Sequence, residues 1–279
     1  MKILKRLCLF IVVVTFIYFF IYTFFTNDII YKRLIYNDYN EVNNLDLEEI
    51  IEDIFYSKYI NVSKEEKDNK STILKPNKNL PIIYIYNTHD MEEYSSLNEI
   101  KVLGISENVV TASYMLQELL SSYGINSIVE EKSPTKEVKE NNLSYPSTYT
   151  FSYNNAIDAK NKNKSLEYFI DLHRDGVKKE YSTVQIQNKN YAKIMFVLGM
   201  NHKNSEKNLE LVNKLEEYLN NNYAGILRKT SVYDDSSYNQ ELSEKAFLVE
   251  MGGNENNLNE VFNSMKALAN AIVWVIKNE

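Results

Sequence analysis

From residue 80 onward, short apolar runs alternate with segments whose apolar residues recur at helical spacing. That alternation limits the fold more than any other feature, because strands interleaved with helices close into a mostly parallel sheet covered on both faces. Residues 81–86, PIIYIY, are nearly continuous in apolar character, as expected of a strand buried on both sides. Residues 106–123 set Val109, Leu116, Leu119 and Leu120 toward one side of a helix, with Gly124 where a carboxyl-terminal cap belongs. Further strands are expected at 125–130, 168–172, 183–187, 193–198 and 246–249. Helices are expected near 153–163, at 206–222 and at 258–276, the last entered from Asn257 with Glu260 three residues on, the pattern of a capping box. The expected fold class is therefore α/β, a mostly parallel central sheet with helices on both faces.

Ahead of this domain, residues 7–25 form a 19-residue run without a charge, preceded by Lys2, Lys5 and Arg6. About 20 apolar residues span the ~30 Å hydrocarbon layer as a helix. The basic flank keeps the N-terminus in the cytoplasm and exports the remainder. A cleaved signal peptide is the competing reading, but the run exceeds the usual ~7–15 residues and no small-x-small cleavage site follows it. The expectation is a single-pass protein of the cytoplasmic membrane: tip and transmembrane anchor at 1–27, an extracytoplasmic stalk at 28–79, and an extracytoplasmic folded domain at 80–279. Within the stalk, residues 45–59 have the spacing of a short helix, and 63–79 are polar, charged and interrupted by Pro76.

The net charge of −7 and the absence of any long basic run argue against nucleic acid as a partner. Cys8 is the only cysteine, which excludes an intrachain disulfide and a multi-thiolate metal site. A metal in the exported part must be held by His, Asp or Glu, and the chain has only three histidines.

Three of the apolar strands run into ionisable groups: the first into Asn87-Thr88-His89-Asp90-Met91-Glu92, the third into Asp171-Leu172-His173-Arg174-Asp175, and the last into Glu250-Met251-Gly252-Gly253. Loops at the carboxyl ends of parallel strands form the ligand crevice of such sheets. If the three strands are neighbours, His89, Glu92, His173 and Glu250 meet at one edge. Two histidines and a carboxylate with one open position are what a catalytic zinc requires. A second carboxylate, free of the metal, takes the proton from water and passes it to a leaving amine, and Glu250 suits that role. Plainer readings compete. A His-x-x-Glu arises often by chance, His173 could cap a turn, and Glu250 could pair with a lysine. His202, a few residues past the 193–198 strand, could line the same crevice or lie exposed in a loop.

At these residues the sequence resembles the stage II sporulation protein P family, membrane-anchored peptidoglycan hydrolases of endospore-forming bacteria. The matching segments are YIYNTHDMEEY, ENVVTASYMLQELLSSYGI, SYNNA, FIDLHRDG, KIMFVLGMNHKN, YNQELS and FLVEMGGNENNLNEV. They follow the family's order between about residues 81 and 277, and the stalk carries no such likeness. The resemblance implies a domain similar to the zinc N-acetylmuramoyl-L-alanine amidases, with Zn²⁺ on His89, Glu92 and His173 and Glu250 as catalytic base. It implies cleavage of the amide between N-acetylmuramic acid and L-alanine during engulfment, with endopeptidase action on cross-links also credited to the family. It also implies partners in stage II sporulation proteins D and M. Relatives usually carry a histidine where Asn87 stands, a position not expected to bind metal, and the match of Tyr94 selects Glu92 over Glu93 as ligand. Arg174 and Asp175 are candidates for substrate contact or for orienting His173, with a structural Arg-Asp pair as the alternative. Asn239, with Gln240, is a candidate for holding the stem peptide, and Gly252 and Gly253 for turning the backbone beside the base. The rival readings are a non-catalytic, membrane-tethered wall-binding scaffold and a pure metallo-endopeptidase.

Overall fold

A computed structural model describes residues 80–95 and 106–279. The expected anchor at 7–25 and the stalk with its helix at 45–59 lie outside the described residues, and no helix among those described is long and apolar enough to cross a membrane.

The sheet has six strands, taken in chain order as β1 (Ile83–Tyr86), β2 (Ser127–Val129), β3 (Tyr168–Asp175), β6 (Ile194–Gly199), β7 (Ser231–Tyr233) and β8 (Lys245–Gly253). Their spatial order is β2-β1-β3-β8-β6-β7, while β4 (Thr183–Ile186) and β5 (Lys189–Ala192) form a separate antiparallel hairpin. Every pairing in the main sheet is parallel except β6 with β8. The helices are α1 (Val109–Ser122), α2 (Pro134–Glu140), α3 (Thr148–Lys162), the single turn α4 (Lys179–Ser182), α5 (Ser205–Asn222) and α6 (Leu258–Asn278). The expected mostly parallel, helix-covered sheet is the one observed.

Alternation along β1 divides its side chains between two layers. Tyr84 and Tyr86 pack with Phe169, Ala246 and Ala156 of α3 on one side. Ile83 and Ile85 face the other layer, where α6 lies along α1 and α5. All four β1 side chains are buried, which is why the segment reads as one unbroken apolar run. The capping box forms as expected: Asn257 accepts from the Glu260 backbone and Glu260 accepts from that of Asn257.

Strand direction departs from expectation at β6. It enters from the β4–β5 hairpin and runs antiparallel to β8, Ile194 opposite Met251 and Val197 opposite Leu248. Its carboxyl end therefore leaves the sheet at the edge where β3 and β8 begin. β8 also runs further than the apolar core of its sequence suggests, carrying Glu250 and both glycines inside the strand.

Gly252 has φ +72°, and a Cβ there would meet Asn256 Oδ1 at 2.6 Å and the Ala192 Cβ at 2.8 Å. Asn256 Oδ1 already accepts the Gly253 N–H at 2.8 Å. Gly252→Ala is thus expected to lower unfolding stability by about 2–4 kcal/mol through backbone strain and the displaced Asn256. A urea midpoint equal to that of the parent chain would show that the strand end relaxes freely.

Candidate metal centre

β1 ends at Tyr86, and a turn in which the Glu92 N–H donates to the His89 carbonyl at 3.1 Å folds Glu92 back beneath His89. One Glu92 oxygen then lies 3.5 Å from His89 Nδ1 and the other 3.5 Å from His173 Nδ1 on β3. The two imidazoles meet edge to face, centroids 5.0 Å apart. One ligand atom from each of the three residues lies within 4.8 Å of the others. Nitrogen and oxygen ligands at ~2.0–2.2 Å from a shared tetrahedral centre stand about 3.3–3.6 Å apart; each Glu92 oxygen meets one histidine at that spacing, and the three ligand atoms together lie within 4.8 Å. Glu93 is exposed, whereas the half-buried Glu92 accepts the Arg174 N–H at 3.0 Å.

Glu250 sits on β8 as the register partner of His173. Partners in a parallel ladder project from the same face, which brings the carboxylate beside the cluster. Its Oε2 is buried without a hydrogen-bond partner. Burial pushes the Glu250 carboxyl up to about 7; His173 opposes the shift and the negative charge of Glu92 adds to it. Burial also works against the Glu92 charge, yet its bonds with His173 and His89 hold that carboxyl down at about 2. Two acids at one site are thus driven apart, one held ionised and the other ready to take a proton.

His173 is buried, which disfavours its charge, but Asp171 and then Glu92 outweigh that and hold the imidazole well above the usual histidine range. Asp171 lies two residues back on the same face of β3. Its Oδ1 is 2.9 Å from His173 Nε2, a close ionic contact off the line of a straight hydrogen bond. The Asp171 carboxylate is itself fixed by the Thr88 N–H at 2.9 Å and the Thr88 hydroxyl at 2.6 Å. Such carboxylate partners orient metal-binding histidines. The strand pattern Asp-Leu-His carries this signal, since alternation puts Asp171 and His173 on one side of β3.

The other sequence candidates fall outside the cluster. Arg174 holds Glu92 through its backbone, while its Nε donates to the Glu93 carbonyl at 2.9 Å. Asp175 pairs with Arg228 at 2.6 Å rather than with the Arg174 side chain. Asn239 is buried, and its amide donates to the Tyr149 carbonyl and the Ser152 hydroxyl, both at 3.0 Å. Gln240 is likewise used within the fold, accepting the Gly199 N–H at 3.0 Å and donating to the Val197 carbonyl at 2.7 Å. His202 does not line the crevice: because β6 is antiparallel, its loop emerges at the opposite sheet edge, where His202 Nδ1 accepts the Asn204 N–H at 3.2 Å. Asn87 braces the site's floor, donating to the Leu172 carbonyl at 2.6 Å and accepting from Ser113 at 3.0 Å. Two tyrosines that the sequence did not flag, Tyr145 and Tyr149, lie against the His89 ring with centroids at 4.6 and 5.5 Å.

These features define a class: an α/β domain with a candidate His-Glu-His metal site and a free buried carboxylate on adjacent strands. The chain belongs to the stage II sporulation protein P (SpoIIP) family, whose match spans residues 28–273 and so takes in the stretch read above as a stalk without family likeness. It is 32% identical over 197 residues to stage II sporulation protein P of Bacillus subtilis (strain 168), an alignment covering 67% of this chain and 49% of that one. The chain thus spans about half the length of this curated relative. Among solved structures it is similar to the N-acetylmuramyl-L-alanine amidase Ami1 of Mycobacterium smegmatis, at 9% identity and TM-score 0.45, covering 73% of this chain and 100% of that one. It is also similar to the CwlD amidase of Clostridioides difficile, solved in complex with the GerS lipoprotein, at 19% identity and TM-score 0.45, covering 71% and 97%.

Proposed function

We propose that this protein is a zinc-dependent peptidoglycan hydrolase of sporulation, an N-acetylmuramoyl-L-alanine amidase that acts during engulfment. In this reading residues 1–27 anchor it in the cytoplasmic membrane, 28–79 form a stalk, and 80–279 work outside the membrane, with stage II sporulation proteins D and M as partners. One observation carries the enzymatic part: the ligand atoms of His89, Glu92 and His173 lie within 4.8 Å of one another, at the strand level of an unpartnered Glu250 carboxylate.

His89, Glu92 and His173 would hold the zinc, which when bound supplies Lewis acidity toward the scissile carbonyl and toward a water molecule. Glu250, unpaired and next to His173, removes a proton from the attacking water and delivers it to the departing amine of L-alanine. Asp171 keeps the His173 ring turned toward Glu92. Tyr145 and Tyr149 wall the site at His89.

The full chain with zinc is expected to release soluble fragments from purified cell walls and to lose that activity with a chelator. Mass spectrometry identifies the bond: free glycan with intact stem peptides means an amidase, and cut stem peptides mean an endopeptidase. Intact walls in the presence of zinc would leave the tethered scaffold as the better account. His89→Ala and His173→Ala should each bring bound zinc below one equivalent by elemental analysis, with His202→Ala unchanged. Equal zinc in all three variants would sink the ligand set.

A further inference from the structure

The aromatic rings at His89 do not stop at the metal cluster. Tyr145 stacks on the imidazole at 4.6 Å with 25° between the planes. Tyr149 meets its edge, Tyr238 follows Tyr149 at 5.8 Å, and Tyr233 follows Tyr238 at 5.7 Å. The row ends in exposed rings on both sides, Tyr145 at 51% and Tyr233 at 45% of full exposure. A continuous line of tyrosines thus runs from the candidate metal site out to solvent.

The fold maintains this line against local preference. Tyr238 and Asn239 both have left-handed backbone, φ +50° and +60°, which side chains other than glycine rarely adopt in succession. The turn is held from three directions. The Asn239 amide bonds α3, the Gln240 amide bonds β6, and Asn208 of α5 donates to the Gln240 carbonyl at 2.9 Å. An over-determined strained turn that places one ring between two others is the kind of feature found where a ligand is gripped.

Resting on the hydrolase reading above, we infer that Tyr145, Tyr149, Tyr238 and Tyr233 form a stacking lane for the N-acetylhexosamine rings of the glycan strand. An amide on the lactyl arm of a muramic acid leaves that sugar, and the strand carrying it, lying beside the metal. Pyranose rings present C–H-rich faces to the negative face of an aromatic ring, and their hydroxyls suit phenol oxygens. The charged groups along the row are Asp235 beside Tyr238 and, beside Tyr145, Glu92 and Asp90 with Arg174, so carboxylates outnumber cations. Carboxylates favour hydroxyl-rich sugars and repel the acidic stem peptide, so the lane reads glycan rather than peptide.

The test uses the full chain and chitohexaose, a neutral β-1,4-linked N-acetylglucosamine oligomer, titrated by calorimetry. Tyr233→Ala alters an exposed side chain, and Tyr238→Gly removes a ring while suiting the left-handed backbone, so both variants should keep the parent melting temperature and zinc content. Each is expected to weaken chitohexaose binding by roughly three- to tenfold. Parent-like affinity in both folded variants overturns the lane, as does a parent chain that digests walls yet binds no chitohexaose; in that last case the hydrolase reading survives alone. Tyrosine-dependent binding in a chain that digests nothing supports the lane and removes the hydrolase.

Discussion

Glu250→Gln is expected to lower wall hydrolysis by about 10²- to 10⁴-fold while leaving bound zinc at the parent level. Glutamine keeps the shape of the side chain but carries no charge and cannot accept the proton. The fold should tolerate the change, because Glu250 Oε2 has no hydrogen-bond partner to forfeit. Burial penalises the charge at this position, so the neutral amide is expected to raise the melting temperature slightly. The combination separates a base from a ligand, since loss of a ligand would take the zinc with it. Hydrolysis within twofold of the parent would remove Glu250 from the mechanism, and loss of zinc would make it a fourth ligand.

Asp171→Asn is expected to weaken zinc binding by about 10- to 100-fold. The carboxylate is buried, contacts His173 Nε2 at 2.9 Å and is held by two bonds from Thr88. Asparagine fills the same space but removes the negative charge that favours a correctly turned, electron-rich imidazole. Competition against a chromophoric chelator measures the affinity, and a parallel thermal melt checks the fold. Because the read-out is zinc binding, the result does not depend on which bond the enzyme cuts. Affinity equal to that of the parent, in a folded variant, would leave Asp171 as a packing residue.

How much of this was legible beforehand varies with the physics behind each feature. Ile83–Tyr86 and the start of β8 announced themselves because strands buried on both faces have little room for polar side chains. The cap of α6 was readable because Asn257 and Glu260 act within one turn. His89, Glu92, His173 and Glu250 were each named from strand ends, and the neighbouring positions of β1, β3 and β8 bring them to one edge. The direction of β6 was not legible, since periodicity tells a strand from a helix but carries no sign, and the choice between crevice and loop for His202 stayed open for that reason. β7 was invisible because three residues, Ser231–Tyr233, with two exposed, leave no pattern. The first turn of α3 was missed because residues 148–152, TYTFS, read as loop until the tyrosines and Thr148 pack. Asp171, Tyr145 and Tyr149 depend on distances across the fold, which no local window contains.

Because His173 and Glu250 are partners on hydrogen-bonded strands, their backbones stand one repeat of the sheet apart, about 4.8 Å between neighbouring strands. That spacing is not the product of a loop conformation, whereas His89 and Glu92 are placed by the turn after β1. The surrounding loops can be remodelled for a different wall without retuning that spacing. The part of the cluster that a loop movement can shift is therefore the His89–Glu92 turn.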